Sequence, residues 1–185
     1  MIKSNNIIAR DMLDMLRECK GRKVETLLRT SQDFETSFEV VILRFKEYDL
    51  EIWSLEQPDK EGGVPDLAKI IVKKNPAKDS PCPVGKYGKN GEILPGDFTK
   101  KPIGEIISGI TVHNELVKSF DKNGSVDFLL ANTYAIVISL GTRYLHIVKD
   151  IYWTEEWDVS FHQTAVPEKP ICDEDEMVSY SVIEL

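Results

Sequence analysis

The sequence predicts an α+β fold in which an N-terminal helix is followed by two antiparallel β-meanders, forming one twisted sheet or a two-sheet sandwich. Three observations predict it. Apolar residues recur at helical spacing early in the chain, at Ile8, Met12, Met15, Leu16 and Cys19, as the buried stripe of an amphipathic helix requires. Two later stretches, 38–55 and 134–147, are rich in β-branched and apolar residues and carry turn residues between their halves, which is the signature of hairpins. Helix comes first and strands afterwards, without the alternation that builds a parallel sheet.

The helix is expected over residues 6–20, with Asn5 and Asn6 as N-caps and Gly21 where a helix normally stops. Residues 23–30 read as a strand, because Val24, Thr26 and Leu28 follow the Gly21-Arg22-Lys23 break. A polar connection, 31–36, leads to the first hairpin. There 38–45 faces 50–55 across Lys46-Glu47-Tyr48-Asp49, with Phe45 opposite Leu50, Leu43 opposite Ile52, Ile42 opposite Trp53 and Arg44 opposite Glu51. The short apolar run 67–72 is not assigned by period alone.

Residues 75–101 hold Pro76, Pro81, Pro83 and Pro95 together with Gly85, Gly88, Gly91 and Gly96. They read as one long, lysine-rich loop, a feature that in a compact domain is functional or disordered. A strand follows over 103–117 with a bend at Gly109, then a turn at 121–124 and a strand at 126–130.

The hairpin 134–147 is the most strongly specified piece. Tyr134, Ile136, Ile138 and Leu140 alternate with Ala135, Val137 and Ser139, and Gly141-Thr142 supplies glycine at the first loop position of a type II′ turn. Folding about it sets Ile138 opposite Leu145 and Ile136 opposite Ile147 on one face, with Ser139 opposite Tyr144 and Val137 opposite His146 on the other. Trp157, Val159 and Phe161 alternate and add another strand. The chain then becomes Pro-rich, turns acidic at 173–176, and ends on a candidate strand, SYSVIEL. Segments 22–56 and 103–151 have similar patterns and could form a pseudo-repeat inside a single domain of 1–185. Any two hairpins share alternation, however, and that alone accounts for the similarity.

Composition narrows function. The chain has 185 residues, 42% hydrophobic and 29% charged, with a net charge of −8, so its surface as a whole is unsuited to nucleic acid or anionic membrane. No apolar run approaches the roughly 20 residues of a spanning helix. Asp11, Asp14 and Glu18 stand where a secretory signal would be apolar. Cys19, Cys82 and Cys172 are odd in number and far apart, which argues against a disulfide framework and for a reducing compartment. The expected location is the cytoplasm.

No residue pattern specifies catalysis, a metal or a cofactor, and none is expected. The three histidines and three cysteines lack metal-ligand spacing. There is no nucleophile elbow, and Gly85-Lys86 and Gly88-Lys89 lack the remaining residues of a phosphate-binding loop. Cys82, between Pro81 and Pro83, reads as an incidental loop thiol.

Two surfaces remain. The first is 152–158, YWTEEWD, where Tyr152, Trp153, Glu155, Glu156 and Asp158 combine aromatic anchors with acids as protein interfaces do; packing of the Trp rings into the core competes with that reading. The second is 69–101, with eight lysines against three acids, a net +5 that leaves −13 for the rest of the chain. There Lys78, Lys86, Lys89, Lys100 and Lys101, with Tyr87 and Phe98 for stacking, could hold an anion or nucleic acid. The first surface leads to the principal expectation: a non-catalytic cytoplasmic module that binds a basic protein partner. In size and charge it is like bacterial accessory or immunity-type proteins, an analogy rather than a motif. The second surface and an enzyme site assembled from sequence-distant residues are the alternatives.

Overall fold

The computed structural model describes residues 2–30, 39–56, 68–77, 85–87, 93–95, 98–149, 157–170 and 176–185. Along the chain come β1 (Ile2–Asn6), α1 (Arg10–Arg17), β2 (Lys23–Thr30), β3 (Glu39–Arg44), β4 (Tyr48–Glu56), β5 (Ala68–Pro76), β6 (Gly85–Tyr87) and β7 (Ile93–Pro95). They are followed by β8 (Phe98–Phe120), β9 (Val126–Leu140), β10 (Arg143–Lys149), β11 (Trp157–His162) and β12 (Glu176–Glu184). Ten strands form one sheet in the order β11-β10-β9-β8-β2-β3-β4-β5, with β1 beside β9 and β12 beside β8. β6 and β7 make a separate two-stranded piece. Only the β1–β9 pairing is parallel among the described residues.

The α+β expectation is therefore corrected. The described chain is mostly strand in a single large sheet, and its one helix is eight residues long. Nor does the helix come first. IKSNN has a single apolar residue and no local strand signal; it is a strand because β9 offers an edge to it, setting Ile2 against Phe128 and Asn6 against Asn132. Asn5 and Asn6 are accordingly not caps. Ala9 takes the N-cap position without a side-chain bond, while Asn5 Oδ1 accepts the Ile7 N–H at 3.2 Å. The apolar stripe itself works as expected: Leu16 is buried, and Met12, Leu13 and Met15 pack against the core.

The first hairpin closes two residues tighter than expected. Leu43 faces Leu50, Val41 faces Ile52, and Arg44 faces Asp49 rather than Glu51. The Phe45 N–H donates to the Tyr48 carbonyl at 2.9 Å, and the two rings stack with centroids 4.6 Å apart. The Arg44 guanidinium then grips Asp49 at 2.9 and 2.8 Å, a bidentate pairing stronger than a single ion contact. The unassigned run 67–72 falls largely within β5. Segment 75–101 is not one loop where it is described: it contains the end of β5, the β6–β7 pair and the start of β8.

β8 organises the sheet. Twenty-three residues in a straight strand would span roughly 75 Å, so it must bend. Its register slips against β9 at Ile107/Gly109, near the glycine where a bend was expected, and against β2 where Ile103 and Gly104 stand against the single residue Glu25, with Gly104 at φ +72°. That left-handed conformation is open to glycine at little cost. The bends allow one edge of β8 to serve β2 through its first half and β12 through its second.

The hairpin of β9 and β10 has the expected register, with Ile138 opposite Leu145, Ile136 opposite Ile147 and Gly141 at φ +59°. One apolar cluster takes Leu43, Leu50, Ile52 and Ile70 from one end of the sheet and Ile110, Ile136, Ile138, Leu145 and Trp157 from the other. A sheet whose two ends share one core has to curl around it. No helix among the described residues is long and apolar enough to cross a membrane.

Candidate functional site

Of the sequence-predicted contact residues, Tyr152, Trp153, Glu155 and Glu156 lie outside the described residues, as do Lys78 and Lys89. Lys86 falls on the short strand β6. Asp158 is exposed on β11. Lys100 and Lys101 lie on β8, where the Lys101 Nζ sits 4.1 Å from the Phe161 ring centroid and the Arg143 guanidinium 4.4 Å from it. The other well-placed lysines of the basic run are on β5: Lys73 over Trp53 at 5.4 Å, and Lys74 paired with Glu18 at 2.8 Å. β5 and β8 are separated by three intervening strands, about 19 Å along the sheet at the usual strand spacing. These described lysines do not gather into one patch.

What the fold does gather is histidine. Alternation along β11 turns Trp157, Val159 and Phe161 toward the core and leaves Asp158, Ser160 and His162 on the outer face. β10 runs alongside with His146 opposite Ser160, so His162 is its diagonal neighbour. The two imidazoles stack with centroids 4.2 Å apart and planes 19° from parallel. His113, on β8, is buried in the same sheet region and touches Tyr134 edge-on. All three histidines of the chain thus belong to one end of the sheet.

A strap, residues 163–170, leaves β11 and crosses this face. Between strap and sheet is a cleft of about 270 Å³, lined among others by His146, Lys149, Asp158, His162, Glu168 and Lys169. His146 is buried and bonds through Nε2 to the Thr164 carbonyl at 2.8 Å; a carbonyl only accepts, so Nε2 carries the hydrogen. Burial depresses the basicity of His146, opposed by the Thr164 bond and the Asp158 charge and reinforced by His162. Burial and then His146 act in the same direction on His113.

Asp158, Ser160 and His162 invite comparison with a hydrolytic triad, and their order argues against it. Ser160 Oγ is 3.0 Å from Asp158 Oδ2 and 2.7 Å from His162 Nε2. In a triad the imidazole stands between serine and carboxylate so that it can take the serine proton. Here serine is the middle member, and the arrangement fixes side chains along a strand. Among the described residues no three His, Cys, Asp or Glu side chains group as a metal site would need.

Behind the cleft lies a buried polar layer where β8 and β9 slip register at His113/Asn114. Thr133 Oγ1 accepts the Ile8 N–H at 2.9 Å and donates to Asn114 Oδ1 at 2.6 Å. Glu115 Oε1 accepts from Asn132 Nδ2 at 3.0 Å. Burial raises the Glu115 carboxyl, against the effects of Asn132 and the Lys149 charge. Burial, with Glu115 nearby, pushes Tyr134 up to about 12. Thr133→Val keeps the shape but strands the Ile8 N–H and the Asn114 oxygen, and is expected to cost about 1–3 kcal/mol. Thr133→Ser, which keeps the hydroxyl, should lose less. Thermal or urea unfolding compares the two, and a Thr133→Val loss no larger than that of Thr133→Ser would mean that the hydroxyl bonds contribute no more than the methyl.

The histidine pair escaped sequence reasoning because its members are sixteen residues apart and meet only through the β10–β11 register. The available signal was the alternation of 157–161, which already sets His162 on the face opposite Trp157. Comparisons with protein-family models, with curated proteins and with solved structures return no match.

Proposed function

We propose that this protein is a non-catalytic binding module for another protein, with its contact surface centred on β11 and the cleft beside it. The observation that carries this reading is the position of Asp158. It is the described acid of the acidic, aromatic-bearing stretch 152–158, it is exposed, and it lines a cleft together with Glu168, Lys149 and Lys169. With a chain charge of −8, a basic partner is the complementary choice, because charge of opposite sign steers encounter and fixes orientation. The serine-centred order of Asp158, Ser160 and His162 supports binding over hydrolysis. Separation of the described lysines of 69–101 between β5 and β8 weighs against a single anion-binding patch. A cytoplasmic accessory or immunity-type role of the bacterial kind accords with the charge and the widely spaced cysteines.

The test is a charge reversal that leaves the core alone. Glu155→Lys, Glu156→Lys and Asp158→Lys are combined, and the variant is checked by circular dichroism. Partner recovery from native lysate is then compared with that of the unaltered protein across a salt series. Recovery should fall in the variant and fall with salt in the parent, since screening acts over roughly 8–10 Å at such ionic strengths. Equal recovery by the two would remove this surface from consideration.

A further inference from the structure

The histidine face carries an inference independent of what the module binds. We propose that His146 is an acid-released latch: residues 163–170 close the cleft while its ring is neutral and come away from the sheet when the ring takes a second proton.

Most of the strap lies at the surface. Of the eight strap residues only Pro167 and Pro170 are buried, and Val166 is 71% exposed. Its ties to the sheet include the His146 bond to the Thr164 carbonyl and the Lys169 Nζ resting 4.4 Å from the Tyr180 ring centroid. His146 is only 2% exposed. A second proton, arriving at Nδ1, would create a charge in that buried position beside a stacked imidazole. Burying a charge without full pairing is costly. The ring escapes that cost by reaching water, and the direct route requires the strap to lift.

The surrounding charges do not cancel this demand. From β11 come Asp158, which favours a charged His146, and His162, which opposes it. From β8 comes His113, whose basicity is itself lowered by His146. Lys149 of β10 and Lys169 of the strap line the same cleft with one sign, and Glu168 with the other. The Thr164 carbonyl favours the imidazolium only while the strap is in place. Acids and bases are close to balance, which leaves burial as the deciding influence.

The direction follows from linkage. A histidine held neutral by the fold binds its proton more readily once released, so acid favours the released state. The closed state keeps its full advantage above the ordinary histidine range near 6.5 and loses it as pH falls toward the depressed folded value. Release is local, because the core face of β9 and β10 is made of Ile136, Ile138, Leu145 and Ile147, which do not titrate.

Methyl and imidazole NMR on the full chain between pH 8 and 4.5 tests the latch. The Ala165 and Val166 methyls should move to random-coil positions with the same midpoint as the His146 ring, below the ordinary histidine value, while the Ile136 and Ile138 methyls stay put. In His146→Phe, which fills the site but cannot be protonated, the strap transition should vanish. In His162→Phe, which keeps a stacked ring without a second basic site, the midpoint should rise. The proposal is overturned by strap methyls that stay fixed across the range, by strap release that persists in His146→Phe, or by strap and core methyls moving together. Should His146→Phe fail to fold, the direction of the His162→Phe midpoint decides alone, and an unchanged or lowered midpoint overturns it.

Discussion

Trp157→Ala is expected to destabilise the protein by about 3–5 kcal/mol, the range for deleting a large buried aromatic. The indole is 1% exposed and belongs to the central cluster. Its backbone carbonyl accepts from Arg29 Nη2 at 3.1 Å, a link from β11 to β2 across the curl of the sheet. The backbone bond survives the substitution, so the loss measures the side chain's packing rather than the link. Urea unfolding should show a lower midpoint at an unchanged slope. A loss under ~1 kcal/mol would mean that the ring contributes little burial, and would contradict its place in the core. Because it is a core residue, Trp157 is also the wrong position at which to probe binding, since its loss would imitate a lost contact by damaging the fold.

Ile138→Ala should cost on the order of 2–5 kcal/mol by lost burial plus the cavity left behind. Ile138 is fully buried between Leu145 on β10 and Ile110 on β8, both in register with it. Three strands share its contacts, and a sheet interior pinned on both edges relaxes poorly into a cavity. Ile138→Val removes one methylene and should cost only about 0.5–1.5 kcal/mol. A midpoint unchanged by the alanine variant would refute the face assignment of the whole hairpin, because neighbouring residues on a strand point to opposite faces.

The latch and the binding surface share Asp158, and that makes their experiments informative about each other. Charge reversal at Asp158 removes an influence that favours a protonated His146, so the strap midpoint should move to lower pH in that variant. A partner contact at β11 would be read by recovery and salt dependence, which the His146→Phe variant at neutral pH need not change.

Sequence by itself determined the elements whose signals are local. The β9–β10 hairpin was legible because alternation on both sides of Gly141-Thr142 admits one register that keeps Ile136, Ile138, Leu145 and Ile147 together. β11 was legible from the same period, β2 from Val24, Thr26 and Leu28 after the Gly21 break, and α1 from its apolar stripe, while SYSVIEL marked the end of β12 as a candidate strand. Tertiary structure decided the rest, for physical reasons that differ by element. β1 has no period and exists through backbone bonds to a strand more than a hundred residues away. The β3–β4 register turned on whether Arg44 meets Glu51 or Asp49, two acids that charge alone cannot distinguish; the Phe45–Tyr48 stack and the bidentate grip chose Asp49. β8 runs through segments that read as loop, strand and bend because bulges let a long strand change direction and serve two partners on one edge. The histidine face combines these effects: its residues come from β8, β10 and β11, each individually an ordinary strand position. Their proximity depends on register, and the buried neutrality of His146 depends on the strap that crosses it, a packing arrangement set only when the chain is folded.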